Sequence, residues 1–180
     1  MRIISGKHKG KKLKSFDGFD VRPTSDRAKE ALFSMLMTKV IGSDFLDLCS
    51  GTGSIGLEAI SRGANSATFV DNSKESLKIC DFNLKSIRES ASLIFSDALE
   101  FLKSTSKTYD IIYFDPPYAF DNILSILKVV YDKKILKENG LFIYEHKSDK
   151  PSKEIENFNL TNTKKYGIAI LDFYKYLETL

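Results

Sequence analysis

The sequence is poor in the residues that build metal sites and disulfide frameworks. It holds 2 cysteines, Cys49 and Cys80, and 2 histidines, His8 and His146. No CxxC spacing occurs, so a zinc site has no obvious ligand set and no metal is expected. Cys49 lies in an apolar, strand-like run and Cys80 in a helix-like one. Both read as reduced, buried thiols of a cytoplasmic protein. No apolar run approaches the ~20 residues of a membrane span, so no membrane partner is expected. The first residues, Met1-Arg2-Ile3-Ile4-Ser5-Gly6, lack the apolar core of a signal peptide. No internal repeat or low-complexity tract is found. Acidic residues are missing from the first 14 positions, which carry Arg2, Lys7, Lys9, Lys11, Lys12 and Lys14.

That last absence gives direction to a chain whose net charge is only +3. A basic patch at one end of an otherwise near-neutral sequence points to a polyanion partner. Residues 1–22 read as a basic arm, with breaks at Gly6, Gly10 and Asp17-Gly18 that fit a small hairpin. Residues 23–180 read as the main domain. With 180 residues, 42% of them hydrophobic and 28% charged, the chain can bury one sizeable core.

Strands and helices alternate through that domain. Ser25 or Asp26 can cap a helix running to about Met37, with Ala28, Ala31, Leu32, Met35 and Leu36 at helical spacing. A strand over Phe45–Cys49 leads into a glycine-rich turn and a helix. A second strand, Ala67–Val70, ends on Asp71, and Ser73 caps a helix from Lys74 to Ile87. A third, Ser92–Phe95, leads to Asp97 and a short helix through Leu102. Ile111–Phe114 forms the fourth strand, and a helix spans roughly Asn122 to Val130. Asn139-Gly140 turns into a fifth strand, Leu141–Tyr144. Ile168–Leu171 and Phe173-Tyr174 read as further strands. The pattern predicts an α/β fold with a mostly parallel sheet covered on both faces. Ligands then bind beyond the carboxyl ends of the strands, where Asp47, Asp71, Asp97 and Asp115 converge.

Two motifs lie on that rim. Gly51, Gly53 and Gly56 match G-x-G-x-x-G between a strand and a helix, and Asp71 follows Gly51 by about 20 residues, the spacing of a carboxylate that bonds ribose hydroxyls. No G-K-[ST] follows, so the phosphate-binding P-loop is a poor alternative. Asp47, just before the turn, favours a positively charged amino or sulfonium group over a pyrophosphate. The second motif is Asp115-Pro116-Pro117-Tyr118 at the end of the fourth strand. The first proline ends the strand and the second holds it extended. The result is a stiff shelf bearing a carboxylate, a carbonyl and an aromatic face, suited to an amino group on a flat heterocycle. His146, Tyr113, Phe142, Tyr144, Phe173 and Tyr174 read as packing.

These residues resemble the bacterial small-subunit (16S) ribosomal RNA guanine-N2 methyltransferases along the whole chain. The likeness runs through Arg2–Leu13, Arg22-Pro23-Thr24-Ser25-Asp26-Arg27, Glu30–Phe33, Leu46–Gly53, Gly56–Ala59, Ser61–Ala64 and Asp115–Tyr118. It implies a Rossmann-like class I methyltransferase fold, with a mostly parallel seven-stranded sheet and a small N-terminal hairpin arm. S-adenosyl-L-methionine is the implied cofactor. Asp47, Ser50, Gly51 and Gly53 would line its methionine end, Asp71 would hold the ribose with Asn72 near the adenine, and Asp97 and Ala98 would meet the adenine edge. Asp115, Pro116, Pro117 and Tyr118 would receive the base. Lys7, Lys9, Lys11, Lys12, Arg22, Thr24 and Arg27 would engage ribosomal RNA or an assembling small subunit, with the enzyme acting as a monomer. A DNA amine methyltransferase shares the cofactor residues and the shelf, but usually carries an added recognition domain for which 180 residues leave no space. A non-catalytic RNA-binding module would not need the intact tetrapeptide, and an NAD dehydrogenase is a more distant rival.

Overall fold

The last two strands of the sheet run antiparallel to each other, and this ending shapes the site. The structure, a computed structural model, describes residues 1–16, 26–117, 119–149 and 151–177. Its strands are β1 (Asp44–Leu48), β2 (Ser66–Asp71), β3 (Ser92–Phe95), β4 (Tyr109–Phe114), β5 (Leu136–Lys147), β6 (Phe158–Tyr166) and β7 (Ala169–Tyr176). They order as β3-β2-β1-β4-β5-β7-β6. The first five are parallel, and β7 runs against both β5 and β6. The strand order reverses between β1 and β4, the switch point at which open α/β sheets bind ligands.

Among the described residues, five helices cover both faces: α1 (Asp26–Leu36), α2 (Ser54–Ser61), α3 (Lys74–Ser86), α4 (Ala98–Ser104) and α5 (Ile123–Asp132). Their starts follow from local chemistry. Ser73 Oγ accepts the Ser76 N–H on α3, Asp97 Oδ1 accepts the Leu99 and Glu100 N–H groups on α4, and Asn122 Oδ1 accepts the Ser125 N–H on α5. Alternation along the strands divides the apolar side chains between the two faces. Leu46, Leu48, Ile112, Phe114 and Phe142 face α4 and α5, whereas Phe45, Ile111, Tyr113 and Ile143 face α1 and α2.

The N-terminal segment is a hairpin-like loop that packs into the body of the protein. Arg2 bridges Lys12 antiparallel, and Ile3 and Leu13 are buried with Leu57, Ile60, Phe69 and Leu84. Its backbone is held by α2: Glu58 accepts the Ile4 and Ser5 N–H groups at 2.7 and 2.9 Å, and the Lys7 N–H donates to the Ser61 carbonyl. The loop's exit is held by α3. Asn83, fully buried, accepts the Lys14 N–H and donates to the carbonyls of Lys14 and Thr52. A single amide thus joins the hairpin to the glycine turn.

Three boundaries differ from the sequence reading. Helix α1 ends at Leu36, and a short 3-10 turn (Met37–Val40) follows with Met37 at φ 48°. Asn139-Gly140 does not begin a strand. It lies inside β5, where the β4 ladder shifts register, jumping from the pair Tyr109–Leu136 to Ile111–Leu141. The C-terminal apolar runs form one strand, β7, and its partner β6 was not anticipated. Strand β6 is an edge strand with Asn, Thr and Lys at most positions, so it lacks the apolar alternation that marks a half-buried strand. Ser25 as a cap and the Asp17-Gly18 break lie outside the described residues.

Candidate active site

After β1 the chain reverses within five residues. Cys49 and Gly53 hold φ of 68° and 85°, and α2 starts at Ser54. At Gly53 a side chain would face both the left-handed backbone and Cys80, whose Sγ lies 2.4 Å from an added Cβ. Gly56 is required for a different reason: an added Cβ would lie 2.3 Å from the Phe69 ring, so this glycine lets α2 lie close on β2. At Gly51 an added Cβ meets nothing within 4 Å, which leaves its side of the turn open.

Asp71 organises this turn from the next strand. Its Oδ2 accepts the Gly51 N–H and its Oδ1 the Ser73 N–H, each at 2.8 Å. An ionised carboxylate has about four lone-pair sites, so two remain for a ligand. The Ser50 hydroxyl oxygen is buried and has no hydrogen-bond partner among the described residues. The two free acceptor sites of Asp71 fit the hydroxyl groups of a cofactor.

Asp47 departs from the role expected for it. Its side chain is buried beneath the turn, its Oδ2 accepts the Gly56 N–H at 2.8 Å, and it does not line the cavity beside the turn. Burial pushes its carboxyl up to about 8. In this structure Asp47 braces the glycine turn.

That cavity measures about 1060 Å³ and opens along the carboxyl ends of the strands. Cys49, Asp71, Asn72, Asp97 and Ala98 form one wall, and Asp115, Pro116 and Pro117 another. Ser50, Gly51 and Gly53 do not line it. Arg27 and Ala28, at the start of α1, close one side, and the turn from Tyr166 to Ala169 between β6 and β7 closes another. Arg22, Thr24 and Tyr118 lie outside the described residues. Lys7, Lys9, Lys11 and Lys12 are exposed on the N-terminal hairpin and do not reach the cavity; Lys7 pairs with Glu89 at 2.7 Å.

The cavity is acidic. Asp71, Asp97, Asp115 and Glu145 line it, against the single guanidinium of Arg27 among the described residues. Burial, together with the nearby carboxylates of Glu145 and Asp47, holds the Asp115 carboxyl well above the usual carboxylate range. Burial also raises Glu145, opposed by a hydrogen bond from the Tyr113 hydroxyl. The Cys49 thiol is pushed up to about 12, by burial first and then by the surrounding carboxylates, so it stays protonated. A site of this sign attracts a cation and repels a pyrophosphate.

Glu145 and the Tyr166–Ala169 turn were not anticipated. Glu145 carried a readable signal: it directly follows the apolar run Leu141–Tyr144, as Asp115 follows the apolar run Ile111–Phe114. The turn carried none, since its flanking strand β6 shows no strand pattern. His146 proves to be packing, stacked on Tyr144 with its Nε2 2.9 Å from Asp172 Oδ2.

The sheet order, the glycine turn on the switch point and the shelf after β4 define a Rossmann-like class I methyltransferase fold. The chain belongs to the family described as Conserved hypothetical protein 95, whose model matches residues 1–175. It is 34% identical to Ribosomal RNA small subunit methyltransferase D of Haemophilus influenzae, an alignment covering 97% of this chain and 93% of that one. The Escherichia coli protein of the same name is 31% identical over 81% of this chain and 74% of its own length. The solved structure "Putative methyltransferase yhhF from Escherichia coli" superposes with a TM-score of 0.87 at 28% identity, covering 98% of this chain and 97% of that one. Among the described residues no helix is long and apolar enough to cross a membrane.

Proposed function

We propose that this protein methylates the exocyclic N2 amine of a guanine in 16S ribosomal RNA, using S-adenosyl-L-methionine. The observation that carries the reading is the shared cavity: the Asp115-Pro116-Pro117 shelf opens onto the same space as Asp71, Asn72, Asp97 and Ala98. When bound, the cofactor supplies an electrophilic methyl group on a sulfonium centre. Asp71 holds its ribose and Asp97 with Ala98 meets its adenine, while the acidic floor suits its positive charge. The small-subunit relatives named above support ribosomal RNA as the acceptor.

The chain's residues act on the nucleophile. The amine lone pair of guanine is delocalised into the ring, which makes it a poor nucleophile. Asp115 and the Pro116 carbonyl accept its two hydrogens and favour a pyramidal nitrogen. The rigid prolines fix the approach, so positioning supplies most of the rate. The base must leave any stacked helix to reach this rim, and Tyr118 then stacks on it, worth roughly 1–3 kcal/mol. The N-terminal hairpin, with Lys7, Lys9, Lys11 and Lys12, and Arg22, Thr24 and Arg27 beyond it, holds the RNA backbone. We place the enzyme in the cytoplasm, working as a monomer on ribosomal RNA or an assembling subunit.

The test uses methyl-labelled S-adenosyl-L-methionine with small subunits and 16S RNA from cells lacking the protein, and total DNA as the rival acceptor. Label recovered as N2-methylguanosine by mass spectrometry supports the reading. Label in DNA, on another base, or nowhere removes it.

A further inference from the structure

Strand β5 brings into the cavity a carboxylate that neither sequence motif accounts for. In the parallel ladder Phe114 of β4 pairs with Tyr144 of β5. Asp115 and Glu145 are the next residues on each strand, so they lie side by side, on one face, at the same edge of the sheet. Both line the cavity. Glu145 is only 7% exposed. The Tyr113 hydroxyl, itself buried, donates to its Oε2. Its Oε1 receives no donor from the described residues. Glu145 lines the cavity, so this free acceptor is available to whatever binds there. Tyr113 fixes one oxygen, which directs the other toward whatever lies against Asp115.

We propose that Glu145 accepts the N1–H of the target base beside the amine held by Asp115, and so selects guanine. The inference rests on the proposed guanine-N2 reaction and names the group that chooses the base. Guanine carries a donor, N1–H, next to its amine. Adenine and cytosine carry a lone pair on a ring nitrogen next to theirs. A carboxylate at that position bonds the first and repels the others. A site built around a hydrogen-bond partner rejects analogues lacking it far more strongly than an apolar pocket rejects a misfit.

The probe is an RNA substrate with 2-aminopurine in place of the target guanine. It keeps the 2-amino group but presents a lone pair at N1. The wild-type protein is expected to favour guanine RNA by roughly 10²-fold or more in kcat/KM. Glu145→Gln, whose amide can donate to that lone pair, is expected to shrink the preference at least about tenfold and to raise the 2-aminopurine rate in absolute value. Unchanged cofactor affinity and melting temperature separate this from general damage. An equal preference in wild type and Glu145→Gln overturns the inference. Should the variant fail to fold, the wild type decides alone: comparable rates on both RNAs overturn it. Efficient methylation of guanine RNA with no discrimination leaves the base reaction standing and removes only Glu145's role. Failure to methylate guanine RNA at all removes both.

Discussion

Lys29 Nζ lies 3.7 Å from Glu58 Oε2 in a region where both side chains are almost wholly buried. Glu58 also takes the Ile4 and Ser5 amides and the Arg62 guanidinium, while Lys29 donates to the Arg2 carbonyl. This cluster fastens the N-terminal hairpin to α1 and α2. Removing one partner of a buried ion pair strands the other charge and typically costs about 3–5 kcal/mol. Glu58→Ala should lower stability by that amount in chemical denaturation. It should also expose residues 1–14 to limited proteolysis under native conditions, where the wild type resists.

Asp115 and Asp71 should separate chemistry from binding. A hydrogen bond to a charged group is worth about 1.5–3 kcal/mol. Asp115→Ala is expected to lower the methylation rate by at least one to two decades, with cofactor affinity nearly unchanged by calorimetry. Asp71→Ala should weaken cofactor binding. Because Asp71 also holds the Gly51 and Ser73 amides, the same change should lower the melting temperature of the ligand-free protein. Asp115→Ala should not.

The pH dependence of activity carries the signature of the carboxyl pair. Protonated Asp115 accepts the amine hydrogens more weakly than the carboxylate and turns one oxygen into a donor, so the rate should climb as pH rises through its carboxyl's pKa. Burial, then the charges of Glu145 and Asp47, put that acid limb above the ordinary range near ~4. Tyr113 and Cys49 stay neutral beside it, and Asp71, Asp97 and Arg27 complete its charged surroundings. Glu145→Gln removes one negative neighbour and should move the limb of kcat/KM to lower pH.

The contribution of Asp47 to the stability of the ligand-free protein should decline as pH rises from about 4 to about 8. Asp47 titrates at about 8 in the folded state, pushed up chiefly by burial, against roughly 4 when unfolded. Between those values the folded form binds a proton that the unfolded form does not. The contribution is therefore complete below pH ~4 and lost as pH rises through 8. From pH 5 to 9 the denaturation midpoint of the wild type should fall relative to that of Asp47→Asn.

RNA affinity should track the hairpin lysines. With about five phosphates contacted on single-stranded RNA, log affinity against log salt should slope near −3.5. Replacing Lys9, Lys11 and Lys12 with alanine should bring the slope roughly 2 closer to zero. A slope already flat in the wild type removes the hairpin from RNA binding.

Much of this architecture was readable because local and global signals agree. Ser73, Asp97 and Asn122 each mark a helix start in the sequence and each accepts a cap bond in the structure. Asp71 was legible from its spacing to Gly51, and the two meet at 2.8 Å. Asp47 misled, because its position before the turn says nothing of which way the side chain points. It points under Gly56, and only the packed helix reveals that. The closing strands were hidden for another reason. Strand β6 is held by backbone pairing to β7 at an open edge, so polar side chains suffice there and leave no hydrophobic rhythm to find. With it went the overhanging turn at Tyr166–Ala169. Glu145 needed only one more residue in the fifth strand.

The buried amide of Asn83 makes the basic hairpin and the glycine turn mechanically one piece. A polymer tugging at Lys14 pulls on the same side chain that tethers Thr52, two residues before α2 begins. The surface hairpin and the cradle within thus hang on one shared side chain, across the width of a single helix.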